Sequence, residues 1–190
     1  LSSQKIGIYG GTFDPVHHGH LILAREVLEK FQLGKILFIP AAISPHKNAP
    51  AAAAALRLRM LEAGIENEPK FEVDNYELGR SAPSFTIDTV EYLTQKYEGA
   101  YLFYLVGDDN VNGLATWRRY DELRQKVTFV VLRRAAEPVA HEYLSVDRRI
   151  EISASEVRGR VAAGQAIRYL VPPAVERIIR KERLYREVKT

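Results

Sequence analysis

Two histidines three residues apart, His17 and His20, follow a glycine pair in the run Gly10-Gly11-Thr12-Phe13-Asp14-Pro15-Val16-His17-His18-Gly19-His20. Glycines at the end of a strand let backbone amides approach a phosphate closely. Asp14-Pro15 turns the chain, and the histidines then open a helix, where unpaired N–H groups and the helix dipole attract anions. Imidazoles beside a triphosphate are expected to have raised pKa values and to donate charged hydrogen bonds. The run is neither Gly-x-Gly-x-x-Gly nor a Walker loop. Two further segments carry compatible groups: Gly107-Asp108-Asp109, and Ile152-Ser153-Ala154-Ser155-Glu156-Val157-Arg158. Together these residues suit the stabilisation of phosphate charge and include no obvious nucleophile. Blander readings stand beside this one. His17 and His20 could be surface polar residues, or metal ligands one turn apart with His46 as the obvious third. Trp117 alone suits a core, Thr86 a helix cap, Asp108-Asp109 a polar loop, and Arg158 a solvated helix face.

The elements that must position these groups follow from periodicity. Residues 6–9 are a short apolar run ending at Gly10-Gly11, and Leu21, Ile22, Ala24, Val27, Leu28 and Phe31 recur at helical spacing before Gly34. Residues 35–40 form a second buried strand, so the chain opens strand, glycine turn, helix, strand, the signature of a parallel sheet. The patterning then predicts a loop over 41–49, a helix over 51–65 and a strand over 71–74. A helix over 87–97, entered through Pro83-Ser84, precedes strands over 101–106 and 127–132, with partial helix over 114–125 between them. A further strand is predicted over 146–152 and closing helices over 155–163 and 173–182, the last opened by Pro173. In such folds ligands bind outside the carboxyl ends of the strands, where residues 10–20, 107–109 and 152–158 all fall.

Composition removes several alternatives. The chain has 190 residues, one domain's worth, and no cysteine, which excludes disulfides, a cysteine nucleophile and thiolate metal sites. Its net charge of +3 comes from interspersed charges, with no basic arm of the nucleic-acid-binding kind. No apolar run approaches the roughly 20 residues of a membrane span, and residues 1–5 lack a signal-peptide stretch. The expectation is a cytoplasmic protein with no membrane and no nucleic-acid partner.

His17-His18-Gly19-His20 resembles the His-x-Gly-His signature of the nucleotidyltransferase α/β superfamily, and residues 152–158 resemble its second signature, Ile-Ser-Ser-Thr-x-x-Arg. Ala154 and Ser155 stand where that pattern has Ser-Thr, keeping both positions small and one hydroxyl. Within the superfamily the chain resembles the bacterial nicotinate mononucleotide adenylyltransferases. Gly10-Gly11-Thr12-Phe13-Asp14-Pro15, Ser44-Pro45-His46-Lys47, Pro83-Ser84-Phe85-Thr86-Ile87-Asp88-Thr89, Gly107-Asp108-Asp109 and Trp117 carry that resemblance over essentially the whole chain.

The resemblance implies a Rossmann-like doubly wound parallel α/β sheet with short carboxyl-terminal helices, as a single nucleotidyltransferase domain over 1–190. It implies AMP transfer from ATP to nicotinate mononucleotide, giving nicotinate adenine dinucleotide and pyrophosphate in NAD biosynthesis. His17, His20 and Arg158 are the implied catalytic residues. ATP is implied to meet Gly10, Gly11, Thr12, Phe13, His46, Lys47, Gly107, Asp109, Arg134, Ile152, Ser153 and Ser155. The mononucleotide is implied to meet Ser84, Thr86, Trp117 and Arg118. Mg²⁺ is expected on the ATP phosphates with mostly water ligands, so no dedicated metal site in the protein is expected. Homo-oligomerisation is left open. Pantetheine-phosphate adenylyltransferase, the nearest rival, typically has Thr where His17 stands. A redox enzyme would want an acid after the second strand, which here ends at Pro40-Ala41. A nucleotide- or RNA-binding module would show salt-dependent affinity for polyanions and no pyrophosphate release.

Overall fold

The apolar runs are continuous rather than alternating, so both faces of each strand must be covered, as in a parallel sheet between two helical layers. The structure, a computed structural model, describes residues 4–42, 50–80, 84–133 and 140–186. Its strands are β1 (Lys5–Gly11), β2 (Lys35–Pro40), β3 (Phe71–Val73), β4 (Tyr101–Gly107), β5 (Val127–Leu132) and β6 (Leu144–Val146). They form one sheet in the order β3-β2-β1-β4-β5-β6, with every pairing parallel. The helices are α1 (His18–Lys30), α2 (Ala54–Ile65), α3 (Thr86–Lys96), α4 (Tyr120–Lys126), α5 (Ala154–Ala162) and α6 (Pro173–Lys181), with 3₁₀ turns over Tyr76–Gly79 and Asp108–Thr116.

Side-chain alternation along the strands divides the core. Ile6 and Ile8 of β1 with Leu37 and Ile39 of β2 face a cluster shared with Ile87, Val90 and Leu93 of α3. Tyr9, Ile36 and Phe38 face the opposite cluster, with Leu23 and Val27 of α1, Met60 and Leu61 of α2, and Val175 and Ile179 of α6. Strand order reverses between β1 and β4, which pair from Lys5↔Tyr101 to Tyr9↔Leu105. The carboxyl ends of these two strands therefore form the crevice where such sheets bind ligands.

Two predicted elements differ by more than two residues at a boundary. The last strand lies at Leu144–Val146, not 146–152. The charges that follow it are exposed and satisfied by side chains: Arg148 donates to Glu26 of α1 at 2.6 Å, and Arg149 pairs with Glu151. Such a run gains nothing from a buried ladder. Helix α2 begins at Ala54 rather than at 51, because the amides of Ala51 and Ala52 donate to the Asp14 carboxylate at 2.7 and 3.3 Å. The 3₁₀ turn over Tyr76–Gly79 has no sequence signal of its own.

Candidate active site

The glycine run leaves β1 at the switch point, and its glycines are held small by their surroundings. A Cβ on Gly10 would lie 2.7 Å from the Tyr104 hydroxyl, and one on Gly11 would lie 3.0 Å from the Phe13 ring. Phe13 adopts a left-handed φ of +48°, a conformation costing a β-carbon residue about 1 kcal/mol or more. Burial of its ring, edge-on to Tyr9 at 5.7 Å and His20 at 5.1 Å, offsets that cost. Beneath the loop lies Arg57 of α2, only 1% exposed. Its guanidinium donates to the carbonyls of Thr12 at 2.7 Å, Ala41 at 2.8 Å and Ala42 at 3.3 Å, clamping the ends of β1 and β2 together. Burial pushes its pKa down, and the nearby Asp14 carboxylate opposes that shift.

His17 and His20 are 2% and 8% exposed, and their rings stack at 3.6 Å. His17 N–H donates to His20 Nδ1 at 3.3 Å. An accepting Nδ1 carries no proton, so in this arrangement His20 donates from Nε2. The start of α1 is partly occupied: the His18 amide donates to the Leu170 carbonyl at 2.9 Å, and the His20 amide to the His17 carbonyl at 3.0 Å. A side chain on Gly19 would meet His17 Nδ1 at 3.0 Å and the Ile152 carbonyl at 3.3 Å. The second signature segment therefore abuts the first.

Ser153 caps α5, its Oγ accepting from the Glu156 amide at 3.1 Å. One turn along α5, the Arg158 guanidinium donates through Nη1 to the Asp14 carbonyl at 2.7 Å and through Nη2 to Ser155 Oγ at 3.2 Å. Arg158 is thereby held across the mouth of the glycine run from 144 residues away in the chain. At the end of β4, Asp108 is buried and Asp109 exposed, and a β-carbon at Gly107 would collide with the Asp109 carboxylate.

Across the crevice, α3 opens at Thr86 with Phe85 as a cap residue that offers no side-chain hydrogen bond. The amides of Asp88 and Thr89 donate to the Phe85 carbonyl at 3.1 and 3.4 Å, and Thr86 is the first helical residue rather than the cap. Thr86 Oγ1 lies 3.4 Å from the Tyr104 hydroxyl, whose pKa burial pushes up to about 12. The Ser84 hydroxyl is buried. Trp117 sits edge-on to Tyr104 at 5.9 Å and Phe129 at 6.5 Å, so one side of it belongs to the core. The exposed Arg118 guanidinium lies 4.6 Å from the centroid of the Phe85 ring, which puts a positive charge beside the start of α3.

The structure brings together Gly10, Gly11, Thr12, Phe13, His17, His20, Ile152, Ser155 and Arg158. Ser84, Thr86, Trp117 and Arg118 form a second group around Tyr104 and Phe85. His46, Lys47 and Arg134 lie outside the described residues. Among the described residues no group of three or more His, Asp or Glu side chains is placed to hold a metal ion, and no helix is long and apolar enough to cross a membrane. Arg57, Glu77, Tyr104 and Tyr185 shape the site with no signal in the sequence, and Asp14, which reads there as a turn residue, accepts hydrogen bonds from Ala51, Ala52 and Tyr185. Arg57 reads there as one charge on an alanine-rich helix, and only its long-range carbonyl partners reveal its place.

A switch-point crevice flanked by a glycine run, a histidine pair and a distant arginine defines a nucleotidyltransferase, and the cytidylyltransferase-like family profile matches residues 8–160. A probable nicotinate-nucleotide adenylyltransferase of Geobacillus thermodenitrificans is 43% identical over 185 residues, covering 95% of this chain and 86% of its own. That of Shouchella clausii is 42% identical over 188 residues, covering 96% and 97%. The chain belongs to the nicotinate-nucleotide adenylyltransferase family within the cytidylyltransferase-like proteins. In fold it is similar to the Plasmodium falciparum nicotinic acid mononucleotide adenylyltransferase solved in complex with NaAD. The TM-score is 0.81 at 18% identity, covering 96% of this chain and 97% of that one.

Proposed function

We propose that the protein transfers the AMP moiety of ATP directly to nicotinate mononucleotide, giving nicotinate adenine dinucleotide and pyrophosphate, a step of NAD biosynthesis. The observation that carries this reading is the meeting of the two signatures, with Arg158 donating to the Asp14 carbonyl at 2.7 Å and Ile152 lying against Gly19. The acceptor's phosphate is already ionised at neutral pH, so the reaction needs alignment and charge stabilisation more than a base.

His17, His20 and Arg158 act as donors to the ATP phosphates, the site being arranged before the charge develops. Gly10, Gly11, Thr12 and Phe13 offer backbone to the nucleotides. Gly107 and Asp109 meet ribose or adenine polar atoms, with Arg134 on the adenine side. Ile152, Ser153 and Ser155 close on the phosphates with Arg158, and His46 and Lys47 complete the ATP contacts. Mg²⁺ enters as part of the Mg·ATP substrate, neutralising phosphate charge and held mainly by phosphate and water oxygens. The acceptor's carboxylate is met by Thr86 and the first-turn amides of α3, where the dipole and Arg118 favour an anion, while Trp117 stacks on the pyridine. The reaction belongs to the cytoplasm.

The reading is tested with ATP labelled at the α-phosphate under single turnover. The label should pass to the dinucleotide with no label retained on denatured protein. A stable labelled protein, or ATP binding with no labelled dinucleotide, contradicts it.

A further inference from the structure

Asp14 lies between the glycine run and the histidine pair, is 3% exposed, and gathers contacts from across the fold. Its carboxylate accepts from the Ala51 amide at 2.7 Å, from the Ala52 amide at 3.3 Å and from the Tyr185 hydroxyl at 2.6 Å. Its backbone carbonyl accepts from Arg158 Nη1 at 2.7 Å. A carboxylate with three donors is fixed in orientation, and the carbonyl of the same residue is fixed with it. Tyr185 follows α6 and comes back to the loop before α1, with a left-handed φ of +61° at its own position. Burial, then the Asp14 carboxylate, push the Tyr185 hydroxyl far above its usual pKa, so it stays a donor at physiological pH. Arg57 adds a neighbouring positive charge to the same cluster.

We propose that Tyr185 and Asp14 are positioning residues for adenylyl transfer: the Tyr185 hydroxyl holds the Asp14 carboxylate, and Asp14 in turn sets the carbonyl that orients Arg158 toward the phosphates. The proposal rests on the adenylyltransferase reading above. It gives the segment after α6 a part in the chemistry that a surface tail would not have. A guanidinium that drifts by a fraction of an ångström loses alignment with charge that develops only in the transition state. Loss of the Tyr185 hydroxyl should therefore lower kcat while leaving the KM for the mononucleotide nearly unchanged.

The test is a double-mutant cycle with Tyr185→Phe, Arg158→Lys and the pair, reading dinucleotide formation together with the urea denaturation midpoint. In the wild-type background Tyr185→Phe should lower kcat about tenfold. In the Arg158→Lys background the same change should have little further effect, because the group it positions is already gone. A purely structural role would lower activity by the same factor in both backgrounds, and that additivity overturns the proposal. An unchanged kcat in Tyr185→Phe also overturns it. Wild-type protein that makes no dinucleotide overturns instead the functional reading, which separates the two failures.

Discussion

His20, proposed as a phosphate donor, is also part of the packed interior. From sequence it reads as a ligand-facing side chain whose loss should leave stability alone. In the structure its ring stacks on His17 and lies edge-on to Phe13 and Tyr9, and it is 8% exposed. Truncating a buried ring costs about 2–4 kcal/mol, and losing one preorganised donor costs about 10²–10³ in kcat. His20→Ala should therefore lower both the unfolding free energy and the turnover. His20→Asn keeps an acceptor where Nδ1 now takes the His17 amide but has no donor at the Nε2 position. It should recover part of the stability and none of the turnover, as read by urea denaturation and pyrophosphate release. Recovery of both together would assign His20 to structure alone. The residue types of this site were legible, because histidines after a glycine run are rare enough to carry meaning. The burial of His17 and His20 was not, since it depends on Tyr9 from inside β1 and on Phe13 in an unusual backbone conformation.

At the scale of elements, α3 and the 3₁₀ turn before it form a unit whose balance depends on pH. Glu77 is buried, and its Oε1 accepts from the Thr89 hydroxyl at 2.7 Å. Burial raises its pKa above the ordinary value of 4.5, the Thr89 hydroxyl partly opposes this, and Asp88 adds to it. The sign follows from linkage. The unfolded chain releases the Glu77 proton first, so this group's favourable contribution is full below about pH 4.5 and is lost as pH rises through the folded-state value. Glu77→Gln, which keeps an acceptor for Thr89, should gain stability relative to wild type as pH rises from about 4.5 toward neutrality. Equal wild-type and mutant denaturation midpoints across that range would contradict a strained carboxyl. The periodicity of β1, β2, β4 and β5 made those strands readable, because each is a short apolar run closed by Gly or Pro or by a polar turn. The last strand ends before its pattern suggests because the charges at 147–149 are stabilised by ion pairs to α1 and to neighbouring side chains, which no local pattern encodes. The start of α2 lies later than its pattern suggests for a related reason: its preceding amides are taken by Asp14, a residue 37 positions earlier.

At the scale of the molecule, the sheet's strand reversal puts both groups of candidate site residues on one crevice, with Tyr104 reaching Gly10 of one and Thr86 of the other. The order of the two signatures along the chain was readable, and so was the crevice they must share. What was not readable is how they are joined, through Asp14, Arg57 and Tyr185. On the proposed acceptor side, Thr86→Val removes a hydroxyl at the start of α3 and should narrow the acid-over-amide preference about tenfold. Trp117→Ala should weaken both acceptors alike by about threefold to tenfold, and should also lower stability, because the indole packs on Tyr104 and Phe129. Equal selectivity in wild type and Thr86→Val would remove Thr86 from recognition. The proposed adenylyl transfer is tested most directly by kcat/KM for pyrophosphate release from ATP with nicotinate mononucleotide, nicotinamide mononucleotide and phosphopantetheine, each measured with the wild-type protein. The nicotinate compound should be the best acceptor, ahead of the amide by about tenfold or more, with phosphopantetheine inert. A higher kcat/KM for the amide or for phosphopantetheine, or no pyrophosphate with any acceptor, would contradict the proposal.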